Sequence, residues 1–131
     1  MTPVKLLLVD DDDLVRSGLQ VVLEASEFNV TVASNVNEAL QRIANEPFDV
    51  LLSDLHMPDP GDGLTVVSAM RHAHPKAVTI VLSANPDMLQ AALALVKQTD
   101  EIVRKPVKTS SIVDVIRQRL ARNNSSAGPS R

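Results

Sequence analysis

Five short apolar runs alternate with five amphipathic patterns along the chain, and this alternation restricts the fold more than any other feature. An apolar run of about four to eight residues is typical of a strand, and apolar residues three or four positions apart are typical of a helix. The predicted strands are residues 4–9, 28–33, 50–53, 77–82 and 101–104. The predicted helices are residues 14–25, 36–43, 64–73, 86–96 and 109–122. This order favours an α/β fold, with a parallel sheet between two layers of helices and right-handed crossovers.

The composition is that of one globular domain and excludes several classes of function. The chain has 131 residues and a net charge of −3, without the basic cluster that direct binding of nucleic acid requires. It has no cysteine, which excludes disulfides, thiolate metal sites and a thiol nucleophile. The first apolar run is too short to span a membrane, and it lacks the layout of a signal peptide. We therefore expect a cytoplasmic protein with no membrane contact.

The composition changes near the end of the chain. Residues 123–131 are rich in Asn, Ser, Gly and Pro, which is typical of a tail or linker. We therefore predict one domain over residues 1–122, followed by a flexible tail or the start of a linker over residues 123–131.

Polar side chains follow four of the predicted strands. Asp10 and Asp11 follow the first strand, Asp54 the third, Ser83 the fourth and Lys105 the fifth. Because the carboxyl ends of parallel strands meet at one edge of a sheet, these groups are predicted to converge there.

Carboxylates that crowd together raise each other's pKa or require a cation. Magnesium suits a site of carboxylates, a backbone carbonyl and retained waters. A carboxylate can also attack phosphorus and form an acyl phosphate. Lys105 would then neutralise the added charge, and Ser83 would donate its hydroxyl to a phosphoryl oxygen.

Four motifs in this order resemble the receiver domain of two-component response regulators, which is similar to the chemotaxis response regulator. They are L-L-L-V-D-D-D-D-L-V-R from residue 6, D-L-H-M-P from residue 54, V-L-S-A from residue 81 and R-K-P from residue 104. The resemblance covers about residues 4–122. It implies a flavodoxin-like (βα)5 three-layer sandwich, with a five-stranded parallel sheet in the order 2-1-3-4-5.

The resemblance also implies a function and a set of site residues. Asp54 would be the phosphoacceptor that takes a phosphoryl group from a sensor histidine kinase. Asp10, Asp11, Asp54 and the backbone carbonyl of His56 would bind Mg²⁺. Ser83 and Lys105 would bind the phosphoryl group, with Ser83 as the switch hydroxyl. Such a domain is not an enzyme, beyond catalysing its own phosphorylation and dephosphorylation.

The sequence departs from the family pattern at several positions. Ile102 stands where the family usually carries the switch aromatic, and Gln98-Thr99 replaces a common Gly-Ala pair. The loop from Asp54 to Gly63 is one residue longer than usual. His56 and Asn85 flank the expected path of the hydrolytic water, so we predict that they tune the rate of dephosphorylation.

The output of the domain is left open by the sequence. The resemblance implies a downstream protein or a C-terminal effector domain as partner. It also allows a homodimer through the face formed by the fourth predicted helix, the fifth strand and the fifth helix.

Some of the polar residues have simpler interpretations than a role in the site. Asp12 and Asp13 are predicted to cap a helix rather than bind metal, and Asn35 or Asn37 to cap the second helix. His72 and His74 are not predicted as ligands, because residues two apart on a helix do not share a face.

Three other classes of protein fit the sequence less well. A phosphatase of the haloacid-dehalogenase type would carry an acid at the position of His56. A nucleotide-binding Rossmann domain would carry a Gly-rich turn after the first strand. A phosphorylation-independent adaptor is favoured only by Ile102, and formation of an acyl phosphate would exclude it.

Overall fold

The computed structural model describes residues 3–55, 60–83, 99–105 and 108–127. The strands are β1 (Lys5–Val9), β2 (Asn29–Ala33), β3 (Val50–Asp54), β4 (Val78–Ser83) and β5 (Glu101–Arg104). The helices of this part of the chain are α1 (Asp13–Ala25), α2 (Val36–Asn45), α3 (Pro60–Ala73) and α4 (Thr109–Ala127). Here α4 is the fifth helical pattern of the sequence, because the fourth pattern, residues 86–96, lies outside the described residues.

The five strands form one parallel sheet in the order β2-β1-β3-β4-β5, which confirms the predicted topology. Val9 of β1 is in register with Ala33 of β2 and with Ser53 of β3. From β1 the strand order continues to β2 on one side and to β3, β4 and β5 on the other, so β1 and β3 flank the topological switch point. In open α/β sheets, sites form at the carboxyl ends of the strands beside this point.

Two apolar cores cover the two faces of the sheet and give the predicted three layers. One core joins the sheet to α2 and α3 through residues such as Ile43, Val67 and Met70. The other joins the sheet to α1 and α4 through residues such as Leu23 and Ile116. β3 and β4 are buried along their whole length, which explains their continuous apolar sequence.

The helix starts follow from capping side chains. Asp12 caps α1, because its Oδ1 accepts hydrogen bonds from the N–H groups of Leu14 at 3.0 Å and Val15 at 3.1 Å. Asn35 caps α2 by accepting from the N–H of Glu38 at 2.8 Å, so Asn35 and not Asn37 fills the position that the sequence left open.

In the described helices, no segment is both long enough and apolar enough to cross a lipid bilayer.

Three helix ends differ from expectation or depart from common geometry. α3 begins at Pro60 rather than at residue 64, because a proline in the first turn lacks only an N–H that would have no partner in the helix. α4 continues to Ala127, past the expected end at Arg122, since the first helix breakers in the sequence are Gly128 and Pro129. The division of the chain at residue 122 stays a prediction. After α1, Glu27 has a φ of 75°, a left-handed conformation that favours glycine.

Candidate functional site

Asp10 is the most constrained residue at the carboxyl end of β1. It is fully buried, and its N–H donates to the carbonyl of Ala33 at 3.2 Å. Its Oδ1 accepts from the N–H of Asp12 at 2.9 Å. Its Oδ2 is buried and has no hydrogen-bond partner among the described residues. A buried carboxylate oxygen without a donor is costly, so this atom is suited to a cation.

The surroundings of Asp10 favour its protonated form. Burial is the largest cause that raises the pKa of Asp10, and the negative charges of Asp54 and Asp11 raise it further. The hydrogen bond from the Asp12 N–H and the positive charge of Lys105 act in the opposite direction. The site therefore holds more negative charge than its own cationic groups compensate.

Asp54 ends β3 and is 6% exposed. Its Oδ1 lies 3.1 Å from Nζ of Lys105, and the same Nζ lies 3.9 Å from Oδ2 of Asp10. Lys105 is placed by β5, because its N–H donates to the carbonyl of Ser83 at 2.8 Å. The four parallel strands β1, β3, β4 and β5 thus deliver two carboxylates, a hydroxyl-bearing residue and an ammonium to one edge.

Asp10, Asp11 and Asp54 form a cluster that fits a hard divalent cation. One carboxylate oxygen from each residue lies within 4.8 Å of the other two. Asp11 is exposed while the other two are buried, so the cluster opens to solvent on one side. Carboxylates on a cation that retains waters are the preferred setting of Mg²⁺. Oδ2 of Asp10, which accepts no hydrogen bond within the described part of the chain, supports the same fit.

Of the other predicted site residues, two are described by the structure and two are not. Ser83 is fully buried at the end of β4, in register with Arg104. Ile102 is half-buried and packs against the core on the α2–α3 face. His56 and Asn85 lie outside the described residues. Their chemical roles, like those of the cluster itself, stay predictions.

Arg16 also belongs to this site, although no sequence motif predicts a role for it. Its Nη1 donates to the backbone carbonyl of Asp10 at 2.8 Å, and its Nη2 pairs with the carboxylate of Asp13. The side chain therefore spans the turn that carries Asp10 and Asp11. The spacing of Asp13 and Arg16 on the first turns of a helix is the one signal in the sequence for this contact.

Comparisons with known proteins agree with this geometry. Residues 6–117 match the family model of the response regulator receiver domain. The chain is similar to the response regulator protein PilR of Pseudomonas aeruginosa, with 31% identity over 127 residues, which are 97% of this chain and 28% of PilR. It is also similar to the transcriptional regulatory protein CpxR of Escherichia coli K12, with 36% identity over 120 residues, which are 92% of this chain and 50% of CpxR. The chain thus spans about a quarter to a half of the length of these relatives.

The fold is likewise similar to that of a solved response regulator. The response regulator protein TrrA of Thermotoga maritima, solved in complex with Mg(2+)-BeF, matches with a TM-score of 0.78 and 25% identity. The match covers 88% of this chain and 98% of that one.

Proposed function

Because the chain belongs to the response regulator receiver domain family, we propose that Asp54 accepts a phosphoryl group and that Asp10, Asp11 and Asp54 bind Mg²⁺ during the transfer. The observation that carries this proposal is the convergence at one sheet edge: three carboxylates within 4.8 Å, and the ammonium of Lys105 at 3.1 Å from Asp54.

The proposed reaction uses an oxygen of Asp54 as the nucleophile. This oxygen forms a bond to phosphorus while the bond between phosphorus and the donor breaks, which gives an acyl phosphate on Asp54 and the free donor side chain. The donor is a phosphohistidine of a sensor histidine kinase, whose leaving nitrogen takes up a proton. Lys105 remains beside the acceptor and neutralises part of the added charge.

Bound Mg²⁺ would supply positive charge that stabilises the phosphoryl oxygens during transfer. Of the described residues, Asp10, Asp11 and Asp54 would hold it, with the backbone carbonyl of His56 as a further ligand. That a relative of the same fold was solved with Mg(2+)-BeF supports this choice of ion, because beryllofluoride mimics a phosphoryl group. Ser83, at the end of the adjacent strand, would donate its hydroxyl to the phosphoryl group, and His56 and Asn85 would tune hydrolysis.

The proposed partners follow from the relatives. PilR and CpxR are two to four times longer than the matched segment, since this chain spans 28% of one and 50% of the other. We expect the phosphorylated domain to act on a C-terminal effector domain or on a separate downstream protein, in the cytoplasm. A homodimer through the face that includes β5 and α4 stays a prediction.

Phosphorylation with a small donor tests the proposal. Incubation with acetyl phosphate and Mg²⁺ should add one phosphoryl group, measured by intact mass, and chelation of the metal should prevent it. Asp54→Asn should abolish the addition. Asp114→Asn is the matched control, because Asp114 is an exposed acid on α4 that lies outside the cluster.

Two outcomes would contradict the proposal. Equal labelling of Asp54→Asn would exclude Asp54 as the acceptor. Wild-type protein that takes no phosphoryl group would favour the phosphorylation-independent adaptor.

A further inference from the structure

Gly63, in the first turn of α3, touches the backbone of Leu55, the residue that follows Asp54. A Cβ atom at position 63 would lie 2.5 Å from the carbonyl oxygen of Leu55, 2.9 Å from its Cα and 3.0 Å from its carbonyl carbon. All three atoms belong to the backbone, so no side-chain rotation can relieve the contact. Gly18, in α1, gives the opposite result, because a Cβ there would meet nothing within 4 Å.

Leu55 is also fixed by a hydrogen bond and by core packing, so it cannot easily move away from Gly63. Its N–H donates to the carbonyl of Leu82 at 3.0 Å, which extends the pairing of β3 with β4 by one residue. Its side chain is 3% exposed and belongs to the core on the α2–α3 face. The backbone of Leu55 is therefore fixed by the sheet and by the core. Gly63 can lie directly against it because Gly63 has no side chain.

α3 is also fixed against the sheet. Val66, Val67 and Met70 are fully buried in the same core that contains Leu55. The contact between Gly63 and Leu55 thus joins two well-packed elements, and any added atom must displace one of them.

We propose that Gly63 is a positioning residue for the phosphoacceptor site: its missing side chain allows α3 to rest on the Leu55 carbonyl and so sets the position of Asp54. This inference rests on the proposed function, and it adds a residue that neither contacts the metal cluster nor carries a functional group.

The size of the clash sets the expected effect. An ordinary contact begins near 3.4 Å, so a Cβ at position 63 requires a separation of roughly 0.9 Å beyond the 2.5 Å available. Ligand distances in a metal site tolerate only about 0.2 Å. Even a fraction of that displacement, passed to Asp54 through one peptide unit, should therefore weaken binding of Mg²⁺. Substitution of a residue that holds a metal ligand in position commonly costs about 10-fold to 100-fold in metal affinity.

The experiment compares Gly63→Ala with Gly18→Ala, which introduces the same methyl group into a helix without a clash. Binding of Mg²⁺ is measured by isothermal titration calorimetry, and labelling with acetyl phosphate is measured over a range of Mg²⁺ concentrations. We expect the Kd of Gly63→Ala to rise about 10-fold or more, with a matching rise in the Mg²⁺ concentration that gives half-maximal labelling. Gly18→Ala should keep the wild-type Kd.

A second control separates positioning from general loss of stability. Ile116→Val removes a methyl group from the core on the opposite face of the sheet, far in sequence from the three acids of the metal cluster. An equal loss of Mg²⁺ affinity in Ile116→Val would overturn the proposal, as would an unchanged Kd in Gly63→Ala. If Gly63→Ala fails to fold, it is combined with Glu27→Gly, which relieves the left-handed strain after α1. A double variant that also fails to fold would overturn the proposal, because the contact between Gly63 and Leu55 would then serve folding alone. Wild-type protein that binds no Mg²⁺ would contradict the proposed metal site itself.

Discussion

Nζ of Lys105 lies 3.1 Å from Oδ1 of Asp54. Within the described residues, Lys105 supplies the positive charge next to the proposed acceptor. Lys105→Met should therefore slow labelling by acetyl phosphate about 100-fold, because a fixed positive group that stabilises transferred charge is lost. Lys108→Met is the matched control, since Lys108 is exposed on the same connection between β5 and α4. Labelling of Lys105→Met at a rate within twofold of wild type would show that the contact has no part in transfer.

Asp10 should make the stability of the metal-free protein depend on pH. Burial raises the pKa of Asp10, and Asp54 and Asp11 add to the rise, so the folded chain binds this proton more tightly than the unfolded chain does. The free energy of unfolding should therefore fall as pH rises from the ordinary carboxyl value of 3.8 through the raised folded value. Asp10→Asn should flatten this part of the profile and raise the metal-free melting temperature at pH 7 by a few degrees.

The measurement is thermal unfolding at a series of pH values in the presence of a chelator. Asp114→Asn, an exposed acid on α4, controls for net charge. Magnesium should stabilise the wild type and should stabilise Asp10→Asn less, since binding to the folded state alone raises its stability. A melting temperature of Asp10→Asn below that of the wild type at pH 7 would contradict the conclusion that the negative charge of Asp10 destabilises the metal-free fold.

Ser83 should transmit phosphorylation more strongly than Ile102. Ser83 has a hydroxyl that can donate to a phosphoryl oxygen, whereas Ile102 offers no polar group and has a β-branched side chain with a stiff χ1. Ile102 already packs against the core on the α2–α3 face. Ser83→Ala should therefore reduce the changes in NMR spectra that beryllofluoride and Mg²⁺ cause in residues 84–98, and Ile102→Ala should preserve most of them. The opposite ranking would make Ile102 the switch residue.

Glu27 should be a site where glycine stabilises the fold. Its φ of 75° lies in the left-handed region, which costs a residue with a Cβ about 1 kcal/mol and costs glycine nothing comparable. Glu27→Gly should raise the free energy of unfolding by about 0.5–1 kcal/mol, measured by urea denaturation. Glu24→Gly, within the last turn of α1, should instead lower it. Destabilisation by both substitutions would show that Glu27 adopts another conformation in solution.

The sheet could be predicted because its strands are buried and therefore apolar. The observed β3 and β4 begin and end within one residue of the predicted runs. The convergence of Asp10, Asp54 and Lys105 followed from parallel strands alone, because each residue comes directly after a strand.

Contacts between distant backbones could not be predicted in the same way. The Pro and Gly residues before residue 64 are typical of a loop, yet α3 begins there at Pro60. The reason that Gly63 is glycine lies in the carbonyl of Leu55, which no local pattern reveals. The bond of Arg16 to the carbonyl of Asp10 depends on the shape of a turn, and a long side chain has many other partners within reach.

β5 links the proposed site to both helical layers at once. Its neighbouring residues Ile102 and Val103 face opposite sides of the sheet: Ile102 packs into the core with α2 and α3, and Val103 into the core with α1 and α4. Lys105 follows directly after the last residue of this short strand, Arg104. A shift of β5 along its axis, caused by new charge at Asp54, would move side chains in both cores together. We therefore expect this four-residue strand to couple the two helical layers, so that a partner bound to either layer should alter how readily Lys105 can adjust to the phosphoryl group.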